Sequence, residues 1–245
     1  MILLAFIGIW RIFNQDELTH ELTILKDKNI LEVCGKPLLT YPAEAAKKSH
    51  LIDNFFVSSD DEKILSIAHD CGFQKIKRPS ELGNPDSKHV DVIKHSIEVI
   101  KERGSKPDIL VVLLANTVCV KTEWIDKCVR EIFNDLTISA VVPVVSDLDH
   151  HPYRAKRTGK DGYLESFFDF GDLEISSNRQ EICDCFFLCH NFWVLNLKES
   201  VYVNRGTPPW KFMGNRVKPY MVNCSIDVHT EEDLIRSEEW VKANL

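Results

Sequence analysis

Residues 25–41, LKDKNILEVCGKPLLTY, gather the groups best suited to hold an anion. Lys28 and Asn29 precede a short apolar run (Ile30, Leu31, Val33), and Gly35-Lys36-Pro37 follows it. Glycine takes a positive φ at no steric cost, and proline fixes φ where a first helical turn accepts it. The spacing predicts a helix that opens at Gly35-Lys36-Pro37. Its exposed N–H groups, with two lysines beside them, would seat an anion. The other dense group is Cys183, Cys185, Cys189 and His190. It lacks the paired cysteine spacing of structural zinc sites, and strand alternation would split the ligands between two faces. Thiols packed in a strand are the expectation there.

These groups must be positioned by a chain of 245 residues, 44% of them apolar and 27% charged. That suffices for one large α/β domain or two small ones, and the chain is taken as a single domain over 1–245. The formal charge of −7 argues against nonspecific nucleic-acid binding, though it permits a local basic pocket. The apolar opening, 1–10, is too short to cross a bilayer and has no basic flank. It reads as a buried first strand, with no membrane association expected. The eight cysteines sit mostly inside apolar runs, which suits reduced thiols in a cytoplasmic protein.

Apolar runs at 2–8, 55–57, 109–114 and 138–145, and the short segment 73–76, read as strands. Between them, 38–48, 62–70, 90–103 and 122–133 read as helices. The second is capped by Ser58-Ser59-Asp60-Asp61 and closed by Gly72, the third ends at Gly104, and Thr122 caps the fourth. Val90, Ile93, Ile97 and Ile100 form the stripe of that third helix. Such alternation predicts a mostly parallel sheet with right-handed crossovers. Ligands then bind at the carboxyl ends of the strands: Gly8 onward, 58–61, 77–79 and 115–117. From His150 the alternation stops. Residues 153–170 are basic and then aromatic, with turns at Gly159 and Gly162, and read as a hairpin or arm. Strands return at 186–195 and 220–224, and Thr230 with Glu231, Glu232 and Asp233 opens a last helix.

Several pieces, in order, resemble the CMP-sialic acid synthetase family, also called acylneuraminate cytidylyltransferases. They are KNI and GKPLLTY within 28–41, SSDDEKILSIA at 58–68, RPSEL at 78–82, HPY at 151–153, NRQ at 178–180 and SIDVHTEEDL at 225–234. The resemblance implies a three-layer, Rossmann-like fold of the nucleotide-diphospho-sugar transferase type. It also implies a protruding arm at 150–182 that builds a homodimer. The implied reaction transfers CMP from CTP to the anomeric hydroxyl of an acidic, sialic-type sugar and releases pyrophosphate. Attack on the α-phosphorus spreads negative charge over phosphate oxygens, so the family's Mg²⁺ (here Mg²⁺ or Mn²⁺) and cationic side chains belong there.

By the same resemblance, Lys28 contacts phosphate and Asn29 the nucleotide. Arg78 lies beside the cytosine ring, and Ser87 near the serine that touches the nucleotide. Arg11 corresponds to the arginine that follows the first strand. Asp227 and His229 match the metal-binding aspartate pair; residues two apart on an extended segment point the same way and can share an ion. Arg179 and Gln180 match the pair that reaches the sugar across the dimer, with Lys156 and Arg154 nearby in the arm. Asn191 matches an asparagine that faces the sugar. Asn116 stands where the family has Gln-Pro-Thr-Ser, here Ala115-Asn116-Thr117-Val118, which alters sugar contacts. Two further departures are His229 in place of the second aspartate and the absence of the family's Ala-Arg-Gly-Gly-Ser-Lys loop after the first strand. They raise one alternative, a catalytically weakened relative that binds nucleotide or sugar or acts as a partner subunit; the altered 115–118 segment raises another, a nucleotidyltransferase for another acidic acceptor such as a phosphonate.

Overall fold

The computed structural model describes residues 3–8, 25, 27–83, 87–203 and 205–245. The chain starts with β1 (Leu3–Gly8) and a short hairpin of β2 (Glu32–Val33) and β3 (Lys36–Pro37). Next come α1 (Thr40–Lys47), β4 (Asn54–Ser59), α2 (Glu62–Asp70), β5 (Gln74–Lys77), α3 (His89–Glu102) and β6 (Ile109–Leu114). They are followed by α4 (Thr122–Asn134) and β7 (Ala140–Ser146), then a second hairpin of β8 (Lys156–Thr158) and β9 (Leu164–Ser166). The last elements are β10 (Phe186–Leu188), β11 (Phe192–Asn196), β12 (Val217–Met221) and α5 (Glu231–Asn244). Among the described residues, no helix is long and apolar enough to cross a membrane.

The main sheet runs β10-β7-β11-β6-β1-β4-β5, with β12 paired to β7. The pairs β1–β4, β1–β6, β4–β5 and β7–β12 are parallel, while β10 and β11 run antiparallel to their neighbours. All six residues of β6 are buried, as expected of a strand covered on both faces. One face packs Val111 and Leu113 with Leu65 of α2 and Ile125 and Val129 of α4. The other packs Val112 and Trp193 with Val92, Ile93, Ile97 and Ile100, the stripe of α3. Each such side chain contributes roughly 1.5–3 kcal/mol by leaving water. The structure therefore has the mostly parallel sheet that the alternation predicts and the three layers that the resemblance implies.

Three local expectations fail, each for a physical reason. Cys34 and Gly35 have φ of 47° and 77°, the positive pair that a two-residue hairpin turn needs. They close β2 onto β3, and the helix begins only at Thr40. Leu38, Leu39, Thr40 and Tyr41 are buried, and Lys36 Nζ pairs with Glu44 at 2.8 Å on the surface. The anion seat expected at 35–37 is thus not formed, because that helix end faces the core. Thr122 is not a cap: Lys121 holds that position, and the Thr122 hydroxyl donates to the Ala45 carbonyl at 2.8 Å. Finally, the run 186–195 is interrupted. Leu188 faces Val144 and Val194 faces Val141, so six steps on one strand cover three on the other. Residues 189–191 form a bulge between the two pairings, with Cys189 N still donating to Pro143 O and Asn191 O accepting from Leu114 N.

Thr230 caps α5 as expected. Its hydroxyl accepts from Asp233 N at 3.2 Å, and Asp233 Oδ2 accepts from Thr230 N at 3.0 Å. Thr230→Ala should cost about 1 kcal/mol. That appears as a lower urea midpoint at unchanged slope.

Candidate functional site

The segment 225–229 crosses the carboxyl end of β6, where Val228 N donates to Asn116 O at 2.9 Å. The Asn116 amide also donates to Asp227 Oδ1. His229 Nε2 lies 3.1 Å from the same Oδ1, and His229 Nδ1 lies 3.2 Å from Lys28 Nζ. An ammonium only donates, so Nδ1 accepts from Lys28, and Nε2 carries the proton given to Asp227. In this tautomer Nε2 has no lone pair left for a metal. Lys28 is 6% exposed. Burial lowers its pKa, and the charges of Asp227 and Asp233 work against that shift. Burial works to raise Asp233, yet N–H bonds from His229 and Thr230, 3.0 Å each, hold its carboxyl below the usual range.

The bulge at 189–191 supplies the opposite wall. His190 Nδ1 is 3.7 Å from Asp227 Oδ2. Its ring sits edge-on to Trp193 and Trp210, with centroids 6.1 and 6.0 Å away. His89, the first residue of α3, lies against Trp193 at 5.4 Å. Its imidazole is pushed down to about 4, mainly by burial and then by His190, with Asp227 pulling the other way. Sequence reasoning missed His89, Trp193 and Trp210 as site groups, and it weighed His190 only as a member of the cysteine cluster, not as a neighbour of Asp227. His89 and the two tryptophans carried no sequence signal, since they meet through tertiary packing.

The remaining expected residues lie as follows. Asn29 is buried, and its carbonyl accepts from Leu39 N at 3.0 Å. Arg78 is neither a surface ion pair nor open to solvent: it is 2% exposed, with Nη2 2.8 Å from Asp60 Oδ1. The Ser87 hydroxyl donates to Glu81 O at 3.1 Å, and Lys88 occupies the cap position of α3. Asn191 is fully buried. Its amide donates to Cys119 O at 2.6 Å and Cys224 O at 3.0 Å, and its oxygen accepts from Ser225 Oγ at 2.7 Å. It ties three loops together instead of facing an open space. Lys156 and Gln180 are exposed on the arm. Arg11 and the Arg179 side chain lie outside the described residues. The structure thus brings Lys28, Asn116, Asp227 and His229 together and leaves Arg78 and the arm residues apart from their hydrogen-bonded chain. Among the described residues, no group of three or more His, Cys, Asp or Glu side chains gathers as a metal site.

Comparison with known proteins bears on this geometry. The family model described as Cytidylyltransferase matches residues 23–157, more than half of the chain. An N-acylneuraminate cytidylyltransferase of Streptococcus agalactiae serotype V is 24% identical over 215 residues, covering 86% of this chain and 48% of that protein. A pseudaminic acid cytidylyltransferase of Campylobacter jejuni is 32% identical over 89 residues, covering 36% of this chain and 38% of that one. The chain spans about half the length, or less, of these two relatives. Among solved structures, CMP:2-keto-3-deoxy-manno-octonic acid synthetase in complex with CTP superposes with a TM-score of 0.67 at 12% identity, covering both chains completely. That likeness shows a shared fold.

Two stability measurements follow from the buried charges. Neutral His89 is the form the fold accepts, so its contribution is complete above the unfolded value near 6.5 and is lost as pH falls toward 4. Unfolding free energy should drop across that window by on the order of 3 kcal/mol from this group, and His89→Gln should flatten the drop. Arg78→Ala removes the fully buried end of its pair with Asp60 and empties the space that side chain fills, and it should cost roughly 3 kcal/mol in denaturant unfolding.

Proposed function

This chain belongs to the cytidylyltransferase family, and from that premise we propose that it transfers CMP from CTP to a hydroxyl of an acidic, sialic-type sugar and releases pyrophosphate. The observation that carries this is the chain Lys28–His229–Asp227–Asn116. It is assembled from three distant segments at the carboxyl edge of the parallel strands, where such sheets bind ligands. The names of the relatives support an acidic sugar as acceptor.

In this mechanism Lys28, a buried cation on a short helical turn, binds the phosphates and orients them toward the acceptor. His229 holds the Lys28 ammonium from one side and the Asp227 carboxylate from the other, fixing their separation. Asn116 orients the same carboxylate. The donor set suits Mg²⁺ bound by one carboxylate, that of Asp227, with the remaining positions left to substrate phosphates and water. When bound, the ion would neutralise charge on the phosphate oxygens. The His190 ring beside Asp227 packs edge-on against Trp210 and the buried Trp193, which also stacks near His89, so that flank of the carboxylate is backed by aromatic rings. The sugar hydroxyl attacks the α-phosphorus and gives its proton to solvent; the new P–O bond forms as the bond to the bridging oxygen breaks, and pyrophosphate leaves.

The arm supports a homodimer. Tyr163, Leu164, Phe167 and Phe168 are exposed on or beside the β8–β9 hairpin, two of them to 75%, an apolar patch that a second copy would cover. The eight free thiols support a cytoplasmic setting.

One observation favours a second reading. Asp227 already receives Asn116 and His229 on Oδ1 and has His190 near Oδ2, which suits a chain that binds nucleotide without turnover. Pyrophosphate release from CTP, measured with sialic-type sugars and non-sugar acids such as phosphonates, separates the possibilities. Release with a sugar supports transfer to sugars, and release only with a phosphonate points to another acceptor. CTP binding without release supports the second reading. In an active chain, Asp227→Asn should lower turnover about 100-fold or more while CTP still binds; near-normal turnover would remove Asp227 from the mechanism. Light scattering should give about twice the 28.2 kDa chain mass, and Leu164→Asp should return the monomer.

A further inference from the structure

The two segments that meet at the end of β6 each carry a cysteine, and their sulfurs touch. Cys119 Sγ lies 2.6 Å from Cys224 Sγ, with both thiols free. A disulfide requires about 2.05 Å, so bonding needs an approach of only about half an ångström. Asn191 holds both backbones through the two bonds of its amide, to Cys119 O and Cys224 O. The pair is therefore clamped beside its bonding geometry by a fully buried side chain.

The two sulfurs are also chemically unequal. Cys119 is fully buried, and Cys224 is partly accessible. The hydrogen bond from Cys119 lowers the Cys224 thiol, and Arg236 and Lys121 add to that against the effect of burial. The same bond, with burial, pushes the Cys119 thiol up. Cys224 is thus the reachable nucleophile, and Cys119 is the reserve thiol behind it.

We propose that Cys119 and Cys224 form a reversible disulfide site, oxidised by a hydroperoxide and reduced by a small thiol. The Cys224 sulfur attacks the peroxide oxygen, and the O–O bond breaks. One water leaves, and Cys224 becomes a sulfenic acid. The Cys119 sulfur then attacks Cys224 Sγ, the S–O bond breaks, and hydroxide leaves as water with the Cys119 proton. Two thiols have given two electrons to one hydrogen peroxide, yielding one disulfide and two waters. The bond joins the segment bearing Asn116 to the segment bearing Asp227, so the oxidised chain holds that edge of the cleft covalently. None of this depends on the transferase reading.

The test treats the full chain with stoichiometric hydrogen peroxide, then alkylates it under denaturing conditions and maps the peptides without reduction. The expected result is a linked peptide pair containing Cys119 and Cys224. Titratable thiols should fall from the eight that are free in the structure by two, and dithiothreitol should restore them. The bond closes a loop of about a hundred residues, so the thermal midpoint should rise by roughly 10 °C. Cys224→Ser should give neither the linked pair nor the rise. Retention of all eight thiols, or a link from either cysteine to Cys189 instead, would overturn the proposal. The wild-type map decides it even if the variant does not fold.

Discussion

A single crossing holds the site together: the strand-like segment 225–229 laid over the end of β6 and fixed by the bond from Val228 N to Asn116 O. Without it Asp227 and His229 would belong to a surface loop. With it they sit against Asn116 and come within reach of Lys28, some two hundred positions earlier in the chain. Leu25 N donates to His229 O at 3.4 Å, so the early segment is tied to the same line. The crossing is held from both ends. The capping box of α5 fixes 229–230, and Asn191 fixes the backbone at Cys224.

That arrangement stabilises groups that would be costly alone. A buried ammonium is destabilised by lost hydration, and here it has a histidine nitrogen at hydrogen-bond distance and two carboxylates close enough to oppose the shift. Arg78 shows the same economy elsewhere, with Asp60 beside it at the ends of β4 and β5. These are separate solutions at neighbouring strand ends. The first leaves Asp227 and His229 about a third exposed, and the second is buried at its arginine end.

Much of the scaffold was legible in the chain. Six aliphatics in a row at 109–114 could only be a strand covered on both faces. The isoleucine spacing in 90–103, and Thr230 ahead of three acids, specify helices through local rules. Asp227, His229, Lys28 and Asn116 were singled out by resemblance to a family's motifs, and the structure brings them within contact. What sequence did not disclose depends on side chains meeting from afar. Gly35-Lys36-Pro37 suits a helix start as well as a hairpin, and the burial of Leu38 to Tyr41 decides between them. Asn191 looks like a ligand-facing amide until its three partners are seen. His89 is an ordinary first-turn residue until Trp193 lies beside it.

The bulge at 189–191 has a consequence of its own. On one side β11 runs between β6 and β7, and on the other β10 stays with β7; Cys189 N still donates to Pro143 O and Asn191 O accepts from Leu114 N, so the ladder is broken at residue 190. Asn191 is fixed beside that break, while the backbone at 190 is outside both ladders. The side chain there stands next to Asp227, Trp193 and Trp210 without carrying the register of any strand, so chemistry at this edge and strand pairing are uncoupled at one residue.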